Sequence, residues 1–145
     1  MTRCGWGTSI ISAYHDEEWG TECHDDRLLF EMLVLGGFQA GLSWNTVLRK
    51  RPAFRLAFAD FDITKVAKFT PKKLEELMKD EGIIRNKMKL ASVVENARAV
   101  LKVQKEHESF AKVHFFSPPE LHSLFSKLLL HTHPSCAVFV ELCWT

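Results

Sequence analysis

The sequence has no long apolar run, only four cysteines and almost no net charge, and each of these absences excludes a class of protein. Nothing in it approaches the roughly 18 to 20 apolar residues that a helix needs to cross a bilayer, so we expect a soluble protein. A formal net charge of +1 means that any contact with a polyanion has to come from local clusters of basic residues. The cysteines form no CxxC pair and follow no secretory segment, which predicts reduced thiols and a cytoplasmic location.

The chain also lacks low-complexity tracts, internal repeats and any sustained alternation of apolar and polar residues. Its 145 residues, 46% of them hydrophobic and 26% charged, are typical of one globular domain and not of a disordered segment. Because period-two patterns are missing while apolar residues recur at spacings of three and four, the sequence predicts an all-α fold. The one candidate strand is the short FVELCWT segment near the end.

Two early helices are predicted from their caps and breakers. Asp25 and Asp26 can cap an apolar helix that ends at Gly36 and Gly37. Ser43 can cap the next helix. We expect the proline at position 52 to end or restart that helix, because proline has no N–H to donate to the preceding turn.

Further helices are predicted along the middle of the chain. Asp62 opens a short one, and Thr70 followed by a proline marks the start of another, which Gly82 ends. The longest helix is expected from about Asn86 to Glu106, with one apolar stripe toward the core. The core positions predicted for these segments are Phe54, Phe58, Phe61, Leu90, Val94, Ala97 and Leu101. In the tail, the capping-box pattern SPPE predicts one more helix.

Aromatic side chains that carry a polar atom are concentrated near the start. Three of the four tryptophans and the only tyrosine lie within the first 44 residues. Such rings bring flat π faces suited to holding another ring system, whereas a core is built more simply from aliphatic side chains and phenylalanine. The two interpretations that remain open are a pocket for a planar ligand and ordinary burial in the core.

Several ordered strings of residues carry a resemblance to a known family. They are RCGW at 3–6, AYHDEEWG at 13–20, QAGLSWNTVLRKR at 39–51, and the later EGIIRNKMKL and ENARAVL. Together they make the chain similar to the bacterial DNA-3-methyladenine glycosylase I family. The resemblance implies a helix-hairpin-helix glycosylase-like helical domain at 1–112 in a C-terminally truncated chain, with an atypical tail at 113–145 that can form one helix. A coding-frame change or a truncated gene model would explain such a tail.

The resemblance implies an enzyme of base-excision repair that hydrolyses the N-glycosidic bond of 3-methyladenine after flipping this base out of DNA. The positions that match the family's base pocket are Trp6, Tyr14, Gln39 and Trp44. The methylated base is positively charged, so π faces attract it more than they attract normal adenine. No residue is assigned as the catalytic one. The expected partner is double-stranded DNA with alkylated adenine. We expect the protein to act as a monomer and not to associate with a membrane. The alternative is a catalytically impaired or inactive DNA-binding remnant of the family.

The EGIIRNKMK turn lies where the family grips the DNA backbone. Gly82 would allow a tight turn, and Arg85 and Lys87 would help the first N–H groups of the next helix to bind a phosphate. An ordinary link between two helices is the alternative. Each of two clusters of basic residues could be either a phosphate-binding surface or a solvated helix face. They are Arg49, Lys50, Arg51 and Arg55, and Lys72, Lys73, Arg85, Lys87 and Lys89.

Two residues match part of a structural zinc site of the family. Cys4 and His15 correspond to its first two ligands. The later ligands belong to the half of the family that this chain does not resemble, and His131, His133 and Cys136 offer suitable atoms at a different spacing. We therefore expect zinc to bind weakly or not at all.

Two departures from the family affect the pocket. Gly36 stands where the family has a glutamate, whose carboxylate is expected to accept hydrogen bonds from the methylated base. Ile11 stands where a pocket tyrosine is expected. We therefore expect this chain to release the base more slowly than a full-length relative.

Overall fold

The computed structural model of the protein describes residues 10–116, and this part of the chain is helical. Its helices are α1 (Ile10–Glu17), α2 (Asp26–Gln39), α3 (Trp44–Ala57), α4 (Ile63–Val66), α5 (Pro71–Leu77), α6 (Lys87–His107) and α7 (Phe110–Phe116). No strand occurs between residues 10 and 116, so the predicted all-α fold is confirmed. Within the same range no helix has the length and apolar character needed to cross a membrane. The tail helix and the short strand predicted from the sequence lie outside the described residues.

Helix α2 begins where its cap predicts and ends later than predicted. The Asp25 carboxylate accepts hydrogen bonds from the backbone N–H groups of the first turn, at 2.8 and 3.3 Å. The helix then continues through Gly36 and Gly37 to Gln39, so the prediction that the glycines end it is wrong. Each glycine costs about 1 kcal/mol of helix propensity. Burial of Phe38, which is 1% exposed, offsets that cost by about 1.5 to 3 kcal/mol.

Helix α3 also runs through a residue that was expected to end it. The Ser43 hydroxyl caps the helix by accepting a hydrogen bond from the Thr46 N–H at 3.2 Å, as predicted. Pro52 lies inside the helix and is exposed, so the prediction of a break there is wrong. The chain stays helical because buried residues on both sides, Leu48 and Phe54, hold it against the core.

The middle helices follow their local signals closely. The Asp62 carboxylate caps α4, and the Thr70 hydroxyl caps α5 by accepting from the backbone N–H of Lys73 at 3.3 Å. Helix α5 ends at Leu77, which is earlier than the predicted end at Gly82. The Asn86 side chain caps α6 at 3.1 Å from the Lys89 N–H, so the longest helix agrees with its prediction to within one residue at each end.

Phenylalanine rings fill the space between α2, α3 and the chain that follows α3. Those that are at most 1% exposed in this group are Phe30, Phe38, Phe54, Phe58 and Phe61. Their neighbouring ring centroids lie 4.6 to 6.3 Å apart, within the range of favourable aromatic contacts. Helix α6 closes this core with Leu90 and Ala97, as predicted. Val94 is also buried, as predicted, while Leu101 is half-buried at the edge of the core.

A left-handed turn connects α3 to α4. Ala59, Asp60 and Phe61 form a short 3₁₀ segment with φ of 51°, 58° and 55°, which costs roughly 1 to 2 kcal/mol for each residue with a Cβ. The turn places the rings of Phe58 and Phe61 in the core with centroids 5.7 Å apart. It also brings Asp62 into position to cap α4. The aromatic core is thus what retains the strained backbone.

Helix α7 is fixed to the start of α2 by one carboxylate. Asp26 accepts hydrogen bonds from the backbone N–H groups of Phe110 and Ala111, each at 2.8 Å, and from the Gln104 amide at 2.7 Å. Asp26 therefore binds the start of α7, the last helix of the described residues, while its neighbour Asp25 caps α2. Helix α7 runs across residue 112, the predicted limit of the helical domain.

Candidate functional site

Two of the predicted base-binding aromatics meet where α1 crosses the start of α3. The Tyr14 and Trp44 ring centroids are 5.4 Å apart and their planes are inclined by 67°, which is an edge-to-face contact. Tyr14 is buried, whereas Trp44, the first residue of α3, is half-buried. The serine cap of α3 fixes the backbone from which the indole projects. The third predicted aromatic, Trp6, lies outside the described residues.

A further aromatic joins this pair. Trp19 follows α1, its ring centroid is 6.2 Å from that of Tyr14, and it is 39% exposed. It was not predicted as a site residue, although it belongs to the same AYHDEEWG string as Tyr14. Ile11, at the position of the expected pocket tyrosine, lies on α1 one turn before Tyr14 and therefore on the same side of that helix.

The carboxyl end of α2 supplies the predicted polar pocket residue. Gln39 is the last residue of this helix and is half-buried. Gly36 lies one turn earlier and is buried, so the position where the resemblance led us to expect a glutamate carries no side chain here. Gly41, with φ of +79°, turns the chain from α2 toward α3, a conformation that residues with a Cβ rarely adopt.

A buried carboxylate joins α2 to α3 through two arginines. Glu31 on α2 is 5% exposed and accepts hydrogen bonds from Nε of Arg51 at 2.7 Å and Nε of Arg55 at 2.8 Å. Arg51 also donates through both terminal nitrogens to the Glu18 carboxylate, at 2.6 and 2.8 Å. Glu18 follows α1 directly, so the same network holds α1, and with it Tyr14, against α3.

This network corrects the interpretation of the first basic cluster. Arg51 is largely buried, and its guanidinium forms ion pairs with two carboxylates, those of Glu18 and Glu31. Burial lowers the pKa of Arg51, but hydrogen bonds to Glu18 and Glu31 and the charges of both carboxylates raise it by more, so the pKa lies above its ordinary value. Arg55 also pairs with Glu31. The contacts of Arg51 fit neither proposed use, as a phosphate ligand or as part of a solvated face, whereas 45% of the Arg55 side chain stays exposed.

The segment 78–86 between α5 and α6, called the hairpin below, carries two of the predicted DNA-backbone residues, Gly82 and Arg85, and the third, Lys87, is the first residue of α6. Gly82 does not have a left-handed φ, since the glycines with positive φ between residues 10 and 116 are Gly20 and Gly41. A Cβ on Gly82 would lie 3.0 Å from the Ala53 Cβ and 3.0 Å from Oδ1 of Asp80. Gly82 lies in a turn, where an added Cβ would be crowded by Ala53 of α3.

The two predicted basic residues, Arg85 in the hairpin and Lys87 directly after it, are both exposed. Arg85 is exposed, and its guanidinium lies 3.6 Å from the Glu81 carboxylate, while Lys87 is exposed at the first position of α6. These residues, the end of the hairpin and the start of a 21-residue helix together form a surface that can bind an anion.

Two lysines of the basic clusters are half-buried and bind backbone carbonyls. Lys50 on α3 donates from Nζ to the carbonyls of Glu81 and Gly82, at 2.9 and 3.1 Å. Lys89 on α6 donates from Nζ to the carbonyls of Phe38 and Ala40, at 2.9 and 2.6 Å. Both were grouped with phosphate-binding candidates in the sequence, and their contacts are instead with the protein itself.

The predicted zinc ligands are only partly within the described residues. Nδ1 of His15 lies 3.0 Å from Oδ1 of Asp16, and Cys4 is outside the described range. Among residues 10–116 no group of three or more His, Cys, Asp or Glu side chains is arranged to hold a metal ion. One histidine with a carboxylate partner is consistent with a ligand, but it is not a four-ligand site.

Comparison with known proteins gives a consistent result. The family model described as methyladenine glycosylase matches residues 5–132, and so continues past residue 112, where the resemblance was expected to end. The DNA-3-methyladenine glycosylase 1 of Escherichia coli (strain K12) and the DNA-3-methyladenine glycosylase of Haemophilus influenzae are each 46% identical over 112 residues. These residues are 76% of this chain and 60% of either relative, so the chain spans about three fifths of the length of the curated relatives it matches.

The fold agrees with the sequence comparison. A solution structure of a 3-methyladenine DNA glycosylase I, described as revealing a novel mode of alkylated base recognition, superposes on this chain with a TM-score of 0.79. The two sequences are 36% identical. The superposition covers 99% of this chain and 87% of that one. Because the family match spans most of the sequence and the fold is shared, the chain belongs to the methyladenine glycosylase family.

Proposed function

We propose that the chain is a DNA-3-methyladenine glycosylase of base-excision repair that acts in the cytoplasm as a monomer on double-stranded DNA containing alkylated adenine. The observation that carries the proposal is the edge-to-face pair of Tyr14 and Trp44, extended by the partly exposed Trp19. A flipped base needs such a stacking platform once it has left the duplex. The names of the relatives supply the substrate class, since both are DNA-3-methyladenine glycosylases.

The chemistry proposed for this site depends on the charge of the damaged base. A 3-methylated adenine in DNA is a cation, and each well-placed ring attracts it by about 0.5 to 2 kcal/mol more than a neutral base. When the C1′–N bond breaks, its electron pair goes to the base, which leaves as neutral 3-methyladenine. Water then adds its oxygen to C1′ and gives up a proton. Such a leaving group needs no strong general acid, and we assign none.

The hairpin would hold the strand while the base is in the pocket. Arg85 and Lys87 are exposed beside the N-terminus of α6, where a phosphate would meet both positive side chains and backbone N–H groups. Each such contact contributes to affinity independently of sequence and weakens with salt. We therefore assign the DNA-backbone contact to the surface of Gly82, Arg85 and Lys87.

A second candidate function is supported by one observation, the glycine at position 36. Where the family has a carboxylate, the buried Gly36 leaves the base with one fewer charged acceptor. Loss of such a contact costs about 2 kcal/mol, which slows the reaction roughly thirtyfold if the contact forms fully only at the transition state. On this reading the chain is an impaired or inactive remnant that still binds DNA.

Zinc is proposed only as a weak ligand. His15, with Asp16 at its Nδ1, would bind the ion through Nε2, together with Cys4. Two protein ligands rarely retain zinc, so we expect well under one zinc per chain in purified protein. A full equivalent of zinc that disappears in Cys136→Ala would show instead that the tail completes the site.

The proposed activity is tested by base release from methylated DNA. Chromatography of the released bases should show 3-methyladenine with the wild-type protein and at least tenfold less with Trp44→Ala, which removes the stacking face. Leu56→Ala is the matched control, because Leu56 is on the same helix as Trp44 and is 86% exposed. No release by wild type, combined with retained binding to the methylated duplex, would favour the remnant. Equal release by Trp44→Ala would refute the assigned pocket.

A further inference from the structure

We propose that Lys50 and Lys89 are positioning residues that fix the hairpin relative to the helices carrying the base pocket. The inference rests on the proposed function, because it gives these contacts a role in DNA repair. The hairpin and the pocket are separate parts of the fold, and each lysine joins one of them to the other by a pair of hydrogen bonds.

Lys50 holds the hairpin from α3. Its Nζ donates to the carbonyls of Glu81 and Gly82, which are 31 and 32 residues away in sequence. The helix from which it projects begins at Trp44, a residue of the proposed pocket. A Cβ at position 82 would lie 3.0 Å from the Cβ of Ala53 on the same helix, so α3 and the hairpin lie close together where the lysine binds. Lys50 thus fixes the hairpin against the helix that presents Trp44.

Lys89 also joins the hairpin region to the pocket region, but it projects from the helix that follows the hairpin and binds the end of α2. It lies in the first turn of α6, just after the hairpin, and its Nζ donates to the carbonyls of Phe38 and Ala40. These carbonyls flank Gln39 at the end of α2, where a cation is favoured because the helix leaves its last carbonyls unpaired. Lys89 thus fixes the amino end of α6 against the residue that supplies the polar group of the pocket.

This arrangement has a consequence for base flipping. The phosphate is gripped at the hairpin while the base is held between aromatic rings, so the reacting bond is placed by the distance between the two regions. A displacement of about 1 Å can cost 10²-fold in rate even when the residues in contact with substrate are intact. Lys50 and Lys89 bind protein carbonyls and so add no phosphate contact of their own. Experiments that count phosphate contacts can therefore distinguish them from Lys87.

The first experiment measures amide hydrogen exchange in the full chain without DNA. In Lys50→Met, exchange should rise about tenfold in residues 80–86, and in Lys89→Met it should rise by a similar factor in residues 38–42. Methionine keeps most of the length of lysine but donates no hydrogen bond, whereas Lys89→Arg should restore protection. Lys102→Met is the control, because Lys102 is an exposed residue of the same helix. Unchanged exchange in both methionine variants would overturn the proposal.

The second experiment measures DNA binding as a function of salt, together with single-turnover base release. Lys87→Met should reduce the slope of log K against log salt by about 0.9, as expected for one lost phosphate contact. Lys50→Met and Lys89→Met should leave the slope unchanged and lower the single-turnover rate at saturating DNA by about tenfold or more. A slope reduced as in Lys87→Met would make them phosphate ligands, and an unchanged rate would make them structural only. Either result overturns the proposal.

The two experiments also separate failure of this inference from failure of the proposed function. If wild-type protein neither binds DNA nor releases base, the proposed function fails, and a positioning role in repair fails with it. If wild type binds and releases but the two lysine variants behave like Lys102→Met in every measurement, the inference alone fails.

Discussion

Replacing Glu31 by glutamine would remove the charge that holds two arginines while keeping the size of the side chain. Glu31 accepts three hydrogen bonds from Arg51 and Arg55, of 2.7, 2.8 and 3.1 Å, and it is buried. Breaking one partner of a buried ion pair costs about 3 to 5 kcal/mol, because the other partner stays buried without a counter-charge. Two features lower that figure here. Arg51 keeps its bidentate pair with Glu18, and the Arg55 side chain is 45% exposed. We therefore expect Glu31→Gln to lower the free energy of unfolding by about 3 kcal/mol.

Urea unfolding followed by far-ultraviolet circular dichroism would measure this loss, with a fall in Tm of roughly 6 to 12 °C as a second reading. The control is Glu95→Gln, since Glu95 pairs with Arg98 at 2.7 Å but both side chains are more than half exposed. That exposed pair is worth about 0 to 1 kcal/mol. A loss below 1 kcal/mol for Glu31→Gln, similar to the control, would show that this network does not hold α1 and α2 against α3.

Two further predictions concern a cap and a pair of glycines. Hydrogen bonds from the Thr64 hydroxyl and from backbone N–H lower the pKa of Asp62 from 3.8 to about 2. The stabilisation by this carboxylate is therefore present above pH 3.8 and lost as pH falls through about 2. In acid unfolding, the difference in stability between wild type and Asp62→Asn should be constant from pH 7 to 5. It should vanish near pH 2. Gly82→Ala should destabilise by about 1 to 3 kcal/mol, because the added Cβ would lie 3.0 Å from Ala53. Gly37→Ala should stabilise by about 0.5 to 1 kcal/mol, since the position is helical and has open space; the opposite order of these two variants in chemical unfolding would contradict both assignments.

Helix starts were predictable from the sequence because capping is a local interaction. Asp25, Ser43, Thr70 and Asn86 each bind N–H groups within three residues, and each begins a helix in the structure. Helix ends were predicted less well. The glycines of α2 and Pro52 of α3 stay helical because buried residues beyond them are held by contacts with distant parts of the chain.

In the candidate site, too, local features could be predicted from the sequence and contacts between distant residues could not. The aromatic pair could be proposed from residue types and from the resemblance, because those signals lie within short strings of sequence. The pairing of Glu31 with Arg51 and the binding of Lys89 to carbonyls of α2 could not, since they join residues 20 and about 50 positions apart. A run of basic residues in the sequence carries no information about which of them have partners inside the fold.

On the proposed function, this chain uses an aromatic pocket for 3-methyladenine and lacks one charged contact at position 36. Single-turnover release of 3-methyladenine from methylated duplex DNA tests it most directly, with wild type, Gly36→Glu and the full-length Escherichia coli relative measured side by side. We expect wild type to be at least thirtyfold slower than the relative, and Gly36→Glu to recover a large part of a factor of roughly thirty, which corresponds to about 2 kcal/mol. Release by wild type as fast as that of the full-length relative would contradict the claim and show that the aromatic pocket suffices without the carboxylate.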